Sequence, residues 1–388
     1  MVHRVNEAPP TPSASNPPRP LRVALCQPAL PKYRVPVFAT LADRPGIDLT
    51  VWYGEEPTLA NVEPVGFHGE QRSVRPIVGP LRWNNAAWEA CGGAFDVAVL
   101  SWNANDPTLY PAIRKARRNG VGTVLWGHGY SKREKGWRKR VRDRIGRSAD
   151  AVVLYDRATA ARLVAEGFDA GRVFVAANTL DAAPMEAALA NVTDGGAGLR
   201  TKLGLSAAPV LLFVSRVSPK SRLDLLLTAL ADIPDARLLV VGGGELEPLQ
   251  ALADELGVAE RVTWVGPVYD ESALAPYFAV ADLFVYPAAI GLSLIHAMIY
   301  GLPVVTAASR ERQNPEINAL IEGQTGMTYE DGNAADLAGK INQLLTDDDL
   351  RHRMSRAAHA RVRSEFSLAG MVDGLEAAIR KAAARVSG

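Results

Sequence analysis

At 388 residues the chain is too long for one ordinary core and suits two domains. Its composition, 48% hydrophobic and 22% charged, is that of an ordinary globular protein, and a formal net charge of +1 leaves no global field to draw in nucleic acid. Two cysteines exclude a disulfide framework and fit a reducing compartment.

In chain order, residues 1–20 are rich in Pro, Ser and Asn and lack an apolar core. That composition predicts a disordered tail rather than a signal peptide or membrane anchor. From residue 21 onward, apolar runs alternate with helix-like segments: "LRVALCQ", "LTVWYG", "DVAVLS", "GTVLWG", "AVVLYD" and "VFVAAN". Runs of Val, Leu and Ile without polar alternation are what strands covered on both faces look like. Cys26, inside "VALC", reads as a small buried hydrophobe.

The loop after the first run holds Pro28, Pro31 and Pro36, which stiffen it, and Lys32, Tyr33 and Arg34, which fill it. Tyr33 and Arg34 are therefore expected to shape a pocket. Trp102 and Asn103 end another strand and offer an aromatic face and a hydrogen bond, although a Trp beside a turn also packs. His128 follows "TVLW" between two glycines that leave room for a ligand; a solvated turn histidine is the other reading. Next, Lys132, Arg133, Lys135, Arg138, Lys139, Arg140, Arg142, Arg144 and Arg147 crowd around Trp137. Such a segment suits an anionic lipid surface or a phosphorylated ligand, and equally a solvated face.

The loose, Gly-rich stretch "ALANVTDGGAGLRTKLGLSAAP" marks the best boundary. It divides the chain into domains at 21–190 and 191–365, with 366–388 expected as a helix packing back on the first. The second half repeats the alternation with "VLLFVS", "RLLVVGGG", "VTWVG", "LFVYP" and "PVVT", and "PLQALADELG" and "ADLAGKINQLL" carry helical spacing. The whole reads as α/β, two open parallel sheets facing a cleft at the carboxyl ends of their strands.

Loops after strands are thus where function is expected. In "LLFVSRVSPKSRLDLLLTAL", Arg216 and Lys220 follow a strand and precede a helix beginning near Ser221. Two cations beside a helix N-terminus suit a diphosphate. In "LLVVGGGELEPLQAL", Gly243 and Gly244 permit close backbone approach to a ligand, in a pattern short of the full dinucleotide fingerprint.

The order "SRVSPK", "VVGGGE", "VTWVG", "ADLFVYP", "GLSLIHAMIYGLPVV", "NPEINALIEGQTG" resembles the C-terminal half of the retaining glycosyltransferases of family four, with the GT-B fold of two Rossmann-like doubly wound domains. The resemblance covers residues 208 to 365, with "GHG" and "ANTLD" familiar in the first half. It implies a nucleotide-diphosphate sugar donor, hexosyl or deoxyhexosyl transfer, and a glycan, lipid-linked or small-molecule acceptor on the first domain, near Tyr33, Arg34, Trp102 and Asn103. By the same resemblance, His128 lies near the transferred sugar, and Arg216 and Lys220 hold the donor diphosphate. Neither cofactor nor metal is implied, and no Asp-x-Asp pattern stands on a strand-end loop.

One departure stands out. The family places a Glu before a Gly-rich turn, on the donor sugar, and a second eight positions later, on the ribose. This chain has Ala288 and His296 there. The helix after "LFVYP" begins at Gly291, Leu292 and Ser293, whose N–H groups can face the diphosphate. An imidazole can replace Glu toward a ribose hydroxyl, the alternative being a core histidine, and Glu316 is the nearest remaining carboxylate in a family motif. The expectation is a rewired but active transferase, cytoplasmic or peripheral on the inner face of a membrane. An inactive homologue serving as a partner or nucleotide-sugar-binding subunit is the main alternative. A sugar-nucleotide epimerase would need several cleft carboxylates, and a secreted sugar receptor would need a leader.

Overall fold

The structure, a computed structural model, describes residues 19–56, 59–79, 81–103, 105–130 and 136–386. Most of the expected tail, residues 1–18, lies outside them, as do Lys132, Arg133 and Lys135.

The first unit contains β1 (Leu21–Gln27), β2 (Ile47–Tyr53), β3 (His68–Gln71), a hairpin of β4 (Val74–Pro76) and β5 (Arg82–Asn84), β6 (Val97–Ser101), β7 (Gly122–Gly127), β8 (Ala151–Leu154) and β9 (Val173–Val175). Seven of these form one sheet in the order β3-β2-β1-β6-β7-β8-β9, each neighbouring pair parallel. The second unit contains β10 (Val210–Val214), β11 (Arg237–Val241), β12 (Val262–Gly266), β13 (Leu283–Tyr286), β14 (Val304–Ala307) and β15 (Gly326–Tyr329). Their order is β12-β11-β10-β13-β14-β15, again all parallel.

The uniformly apolar strands have a simple cause. Along β1, Val23 and Leu25 enter one core while Ala24 and Cys26 enter another on the opposite face. Along β10, Val210 and Leu212 face one core, and Leu211 and Phe213 the other. Side chains alternate across a strand, so a sheet covered on both faces needs apolar residues at every position.

Two details depart from the expected division. Helix Ala182–Ala190 places Met185 and Ala188 in the second unit's core, ahead of residue 191, and the stretch read as loose contains the helix Ala197–Lys202. The closing helix Leu368–Val386 buries Met371, Val372, Leu375, Ala378, Ile379 and Ala382 against the first sheet. The chain therefore ends on the unit where it began. Cys26 and Cys91 are both buried free thiols, and burial pushes the Cys91 thiol up to about 12.

Strand order reverses direction at β1/β6 in one sheet and at β10/β13 in the other. The carboxyl ends of such neighbours open a crevice, because the chains leaving them cross over to opposite sides. The loops after β1, β6, β10 and β13 are thereby placed at the candidate site.

Candidate active site

On the second unit, the loop after β10 presents Arg216 and Lys220 as exposed cations with no side-chain partner among the described residues. A 3-10 turn spans Pro219–Ser221 with reciprocal Ser218 and Ser221 capping bonds. Arg222 then adopts a left-handed conformation (φ 52°), and the α-helix starts only at Leu223, two residues later than expected.

The glycines after β11 act differently from their expected role. A side chain at Gly242 would sit 1.8 Å from the Ser215 carbonyl oxygen, and one at Gly244 2.0 Å from that of Val217. Val217 N–H in turn donates to the Gly243 carbonyl at 2.9 Å. The close approach that Gly242 and Gly244 permit is thus by the Arg216 loop, which docks there against the sheet, whereas a side chain at Gly243 would meet Pro267 first, at 3.5 Å.

The loop after β13 is held from within. Gln313, 1% exposed, accepts from the Ile290 N–H at 2.7 Å and donates to the Ala307 carbonyl at 2.7 Å. The Ala288 carbonyl receives Thr306 Oγ1 at 3.1 Å, and the Pro287 carbonyl receives the Tyr329 hydroxyl. The Ala288 methyl is buried, so no group at that position reaches the cleft. Gly291 then caps the helix Leu292–Ile299 without a side-chain hydrogen bond, and the N–H groups of Gly291, Leu292 and Ser293 find no acceptor among the described residues. A helix start with open N–H groups is an anion site by construction.

His296, on that helix, is neither open to the cleft nor capped by a carbonyl. Its Nε2 lies 2.8 Å from Glu271 Oε1, at the start of helix Glu271–Val280, and the Tyr300 hydroxyl donates to the same oxygen at 2.7 Å. Burial opposes charge on Glu271, but the His296 and Tyr300 bonds and nearby Lys32 outweigh it and hold its carboxyl below the usual range. Lys32 comes from the loop after β1 in the first unit and reaches the Tyr269 carbonyl at 3.5 Å. Sequence reading missed Glu271 and Gln313, because both act across folds of the chain rather than within a motif.

On the first unit a cavity of about 1040 Å³ gathers Trp102, Asn103, His128, Tyr130 and Tyr155, and the Asn314–Pro315 turn of the second unit closes it. His128 is exposed, with its ring 4.9 Å from Tyr155. The glycines beside it serve the turn. A side chain at Gly127 would meet Trp102 at 3.0 Å, and Gly129 is left-handed (φ 64°) with Leu154 2.6 Å from its missing Cβ. Trp102 itself is 7% exposed and its ring packs on Gly146 and Phe168, so it forms wall more than platform.

Arg34 does not line the cavity. It is 5% exposed, with its guanidinium 4.7 Å from the Trp126 ring and 5.5 Å from that of Tyr155. It supports the wall from behind, with its guanidinium 5.3 Å from the Tyr33 ring. Burial raises the Tyr155 phenol above its ordinary value, and the Arg34 charge pulls against that rise. Glu316, 5% exposed, accepts from Asn178 and so ties the two units together instead of standing open to a donor.

The cationic helix Gly136–Ser148 divides its charges. Arg142 is buried against Asp143 at 2.8 Å, Lys139 bridges Asp143 and Glu166 at 2.7 Å each, and Arg147 lies 4.6 Å from the Phe168 ring. Arg138, Arg140 and Arg144 are exposed, as is Trp137, and Trp137 and Val141 line the mouth of the cavity. Among the described residues, no helix is long and apolar enough to cross a membrane.

With this geometry in view, comparisons with known proteins are specific. The family described as "Glycosyl transferases group 1" matches residues 199–361. A protein of Mycolicibacterium smegmatis named GDP-mannose-dependent alpha-(1-6)-phosphatidylinositol monomannoside mannosyltransferase is 32% identical over 282 residues, 66% of this chain and 69% of its own. A D-inositol 3-phosphate glycosyltransferase of Mycobacterium sp. is 37% identical over 174 residues, 42% of this chain but only 38% of its own. Among solved structures, Anabaena HepE in complex with UDP superposes with a TM-score of 0.70 at 20% identity, covering 92% of this chain and 98% of that one. A glycosyltransferase from Rickettsia africae gives 0.71 at 16% identity, with 93% and 98% covered. At those identities the structural likeness speaks for the two-unit fold.

Proposed function

Since the chain belongs to the group 1 glycosyl transferases, we propose that it moves a sugar from a nucleotide-diphosphate donor to an acceptor hydroxyl with retention of anomeric configuration. One observation carries this reading. Two unpartnered cations, Arg216 and Lys220, and an open helix start at Gly291–Ser293 flank the crevice of one sheet, while a cavity holding His128 occupies the other.

In this scheme the anomeric carbon–diphosphate bond breaks and the acceptor oxygen bonds to the same face. The acceptor proton passes to the leaving diphosphate. Arg216, Lys220 and the helix N–H groups stabilise the charge that builds on the leaving phosphate, a role worth several kcal/mol at most such sites, about 2.7–4 for one donor. His128 orients the transferred sugar, and the cavity holds the acceptor close to it. Ala288 contributes no carboxylate, and the scheme is drawn without an enzymatic nucleophile or a metal, because the leaving diphosphate itself takes the acceptor proton. The relatives' names supply candidate donors, including GDP-mannose, and acceptors built on inositol.

A lipid-linked acceptor is favoured by the exposed Trp137 and Arg138, which line the cavity, and by the exposed Arg140 and Arg144 on the same helix. Each cation near an anionic surface contributes about 1 kcal/mol, screened within a Debye length. Sedimentation with liposomes should show preference for anionic over neutral lipid at low salt; equal binding favours a soluble acceptor. The reaction itself is tested by offering a panel of nucleotide sugars with inositol-based lipid and soluble acceptors, with and without a chelator, and reading the product anomer by NMR. Retained configuration and chelator-insensitive turnover are expected, and an inverted product overturns the scheme.

A further inference from the structure

The pair His296 and Glu271 sits where the active-site geometry leaves one end of the donor unaccounted for. His296 lies four residues after Leu292, so it stands about 6 Å along the helix from the proposed phosphate position. Neither His296 nor Glu271 lines the cavity that holds His128. Glu271 Oε1 receives both His296 and Tyr300, whereas its Oε2 has no hydrogen-bond partner among the described residues. The carboxylate is three-quarters buried, with 24% of its side chain exposed, and the His296 ring packs tilted against Phe278 with ring centres 4.7 Å apart. A partly dehydrated carboxylate, fixed through one oxygen, is prepared to accept from a ligand through the other.

We infer that Glu271 is the nucleoside-binding carboxylate of this site, accepting O–H or N–H donors of the donor's nucleoside half, with His296 as the residue that positions it. The inference rests on the donor reading above and adds a residue to it. An imidazole alone offers one donor or one acceptor, whereas a carboxylate offers several acceptor sites suited to a vicinal diol or to a base edge. By binding Glu271 across 25 positions of chain, His296 brings a carboxylate from a neighbouring helix beside its own. Lys32, from the first unit, adds a small further attraction to the charged carboxylate, after those of His296 and Tyr300.

The test measures affinities for UDP, GDP and ADP, for the 2′-deoxy counterpart of whichever binds tightest, and for inorganic pyrophosphate. It uses the full chain and the variants Glu271→Ala, Glu271→Gln and His296→Ala. In the parent, the nucleoside diphosphate should bind more tightly than pyrophosphate. Glu271→Ala should weaken it roughly ten- to a hundredfold and leave pyrophosphate unchanged; Glu271→Gln, close in shape, keeps the reading available if the Ala variant folds poorly. His296→Ala should give a smaller loss of the same selective kind, since Tyr300 still holds the carboxylate. If the 2′-deoxy form loses affinity in the parent but not in Glu271→Ala, ribose is the donor; if it loses none, a base N–H is. Variants at Glu271 that bind the nucleoside diphosphate like the parent, or that lose pyrophosphate equally, overturn the inference. A parent that binds pyrophosphate and no nucleoside diphosphate overturns the donor reading itself, and this inference with it.

Discussion

The two loops that flank the β10/β13 crevice solve the same problem in opposite ways. After β10, the backbone is locked against Gly242 and Gly244, and the side chains of Arg216 and Lys220 are left without partners. After β13, the Gln313 side chain takes the Ile290 N–H and Glu271 takes the His296 ring, and the N–H groups of Gly291 to Ser293 find no acceptor among the described residues. Charge is thus offered from side chains on one flank and from peptide dipoles on the other. In the proposed scheme, a carboxylate missing at position 288 leaves both sets of anion-binding groups in place, because neither flank draws on that position.

Removing the open charges breaks the comparison most strongly. Arg216→Ala and Lys220→Ala should each cost about 1.5–3 kcal/mol of nucleoside-diphosphate affinity by calorimetry, and unchanged affinity in both would remove the β10 loop from the site. Gly244→Ala should displace that loop without touching a ligand, through backbone strain of about 1–3 kcal/mol. A lower melting temperature together with weaker nucleotide binding is expected, and a normal value of both would mean that the loop does not need its glycine.

On the other flank, His296→Glu sets two carboxylates face to face at the present 2.8 Å contact and should lower stability by about 1–2 kcal/mol. His296→Gln, which keeps a donor for Glu271, should melt near the parent, and equal melting of the Glu and Gln variants would contradict the pairing. The smallest effect is expected across the cleft. His128→Ala should reduce turnover by about a neutral hydrogen bond, 0.5–1.5 kcal/mol, with nucleotide affinity intact. A loss of nucleotide affinity instead would place His128 on the donor.

Much of the frame was legible because buried parallel strands write themselves as apolar runs, and each of the eleven runs quoted contains a strand. Three kinds of feature were not. Short strands such as β4, β5 and β15 carry three or four residues and no period, and the polar "VRP" and "RWN" of the hairpin look like loop. Glycines were legible as places of close approach, but what approaches, a ligand or the protein's own Ser215 and Val217, depends on tertiary placement. Partner choice was hidden for the same reason. Nothing near Arg34 in sequence announces Trp126, and nothing near His296 announces Glu271. Local spacing locates a loop, whereas the orientation of its side chains is decided by elements distant in the chain.

The central claim is that the donor diphosphate rests between the two flanks of the β10/β13 crevice. A crystal structure of the full chain with its tightest-binding nucleoside diphosphate tests it directly. The account predicts phosphate oxygens within hydrogen-bond reach, about 2.7–3.2 Å, of Arg216 or Lys220 and of the N–H groups of Gly291 to Ser293. A diphosphate held by the first unit alone, or one that leaves both flanks empty, would contradict it.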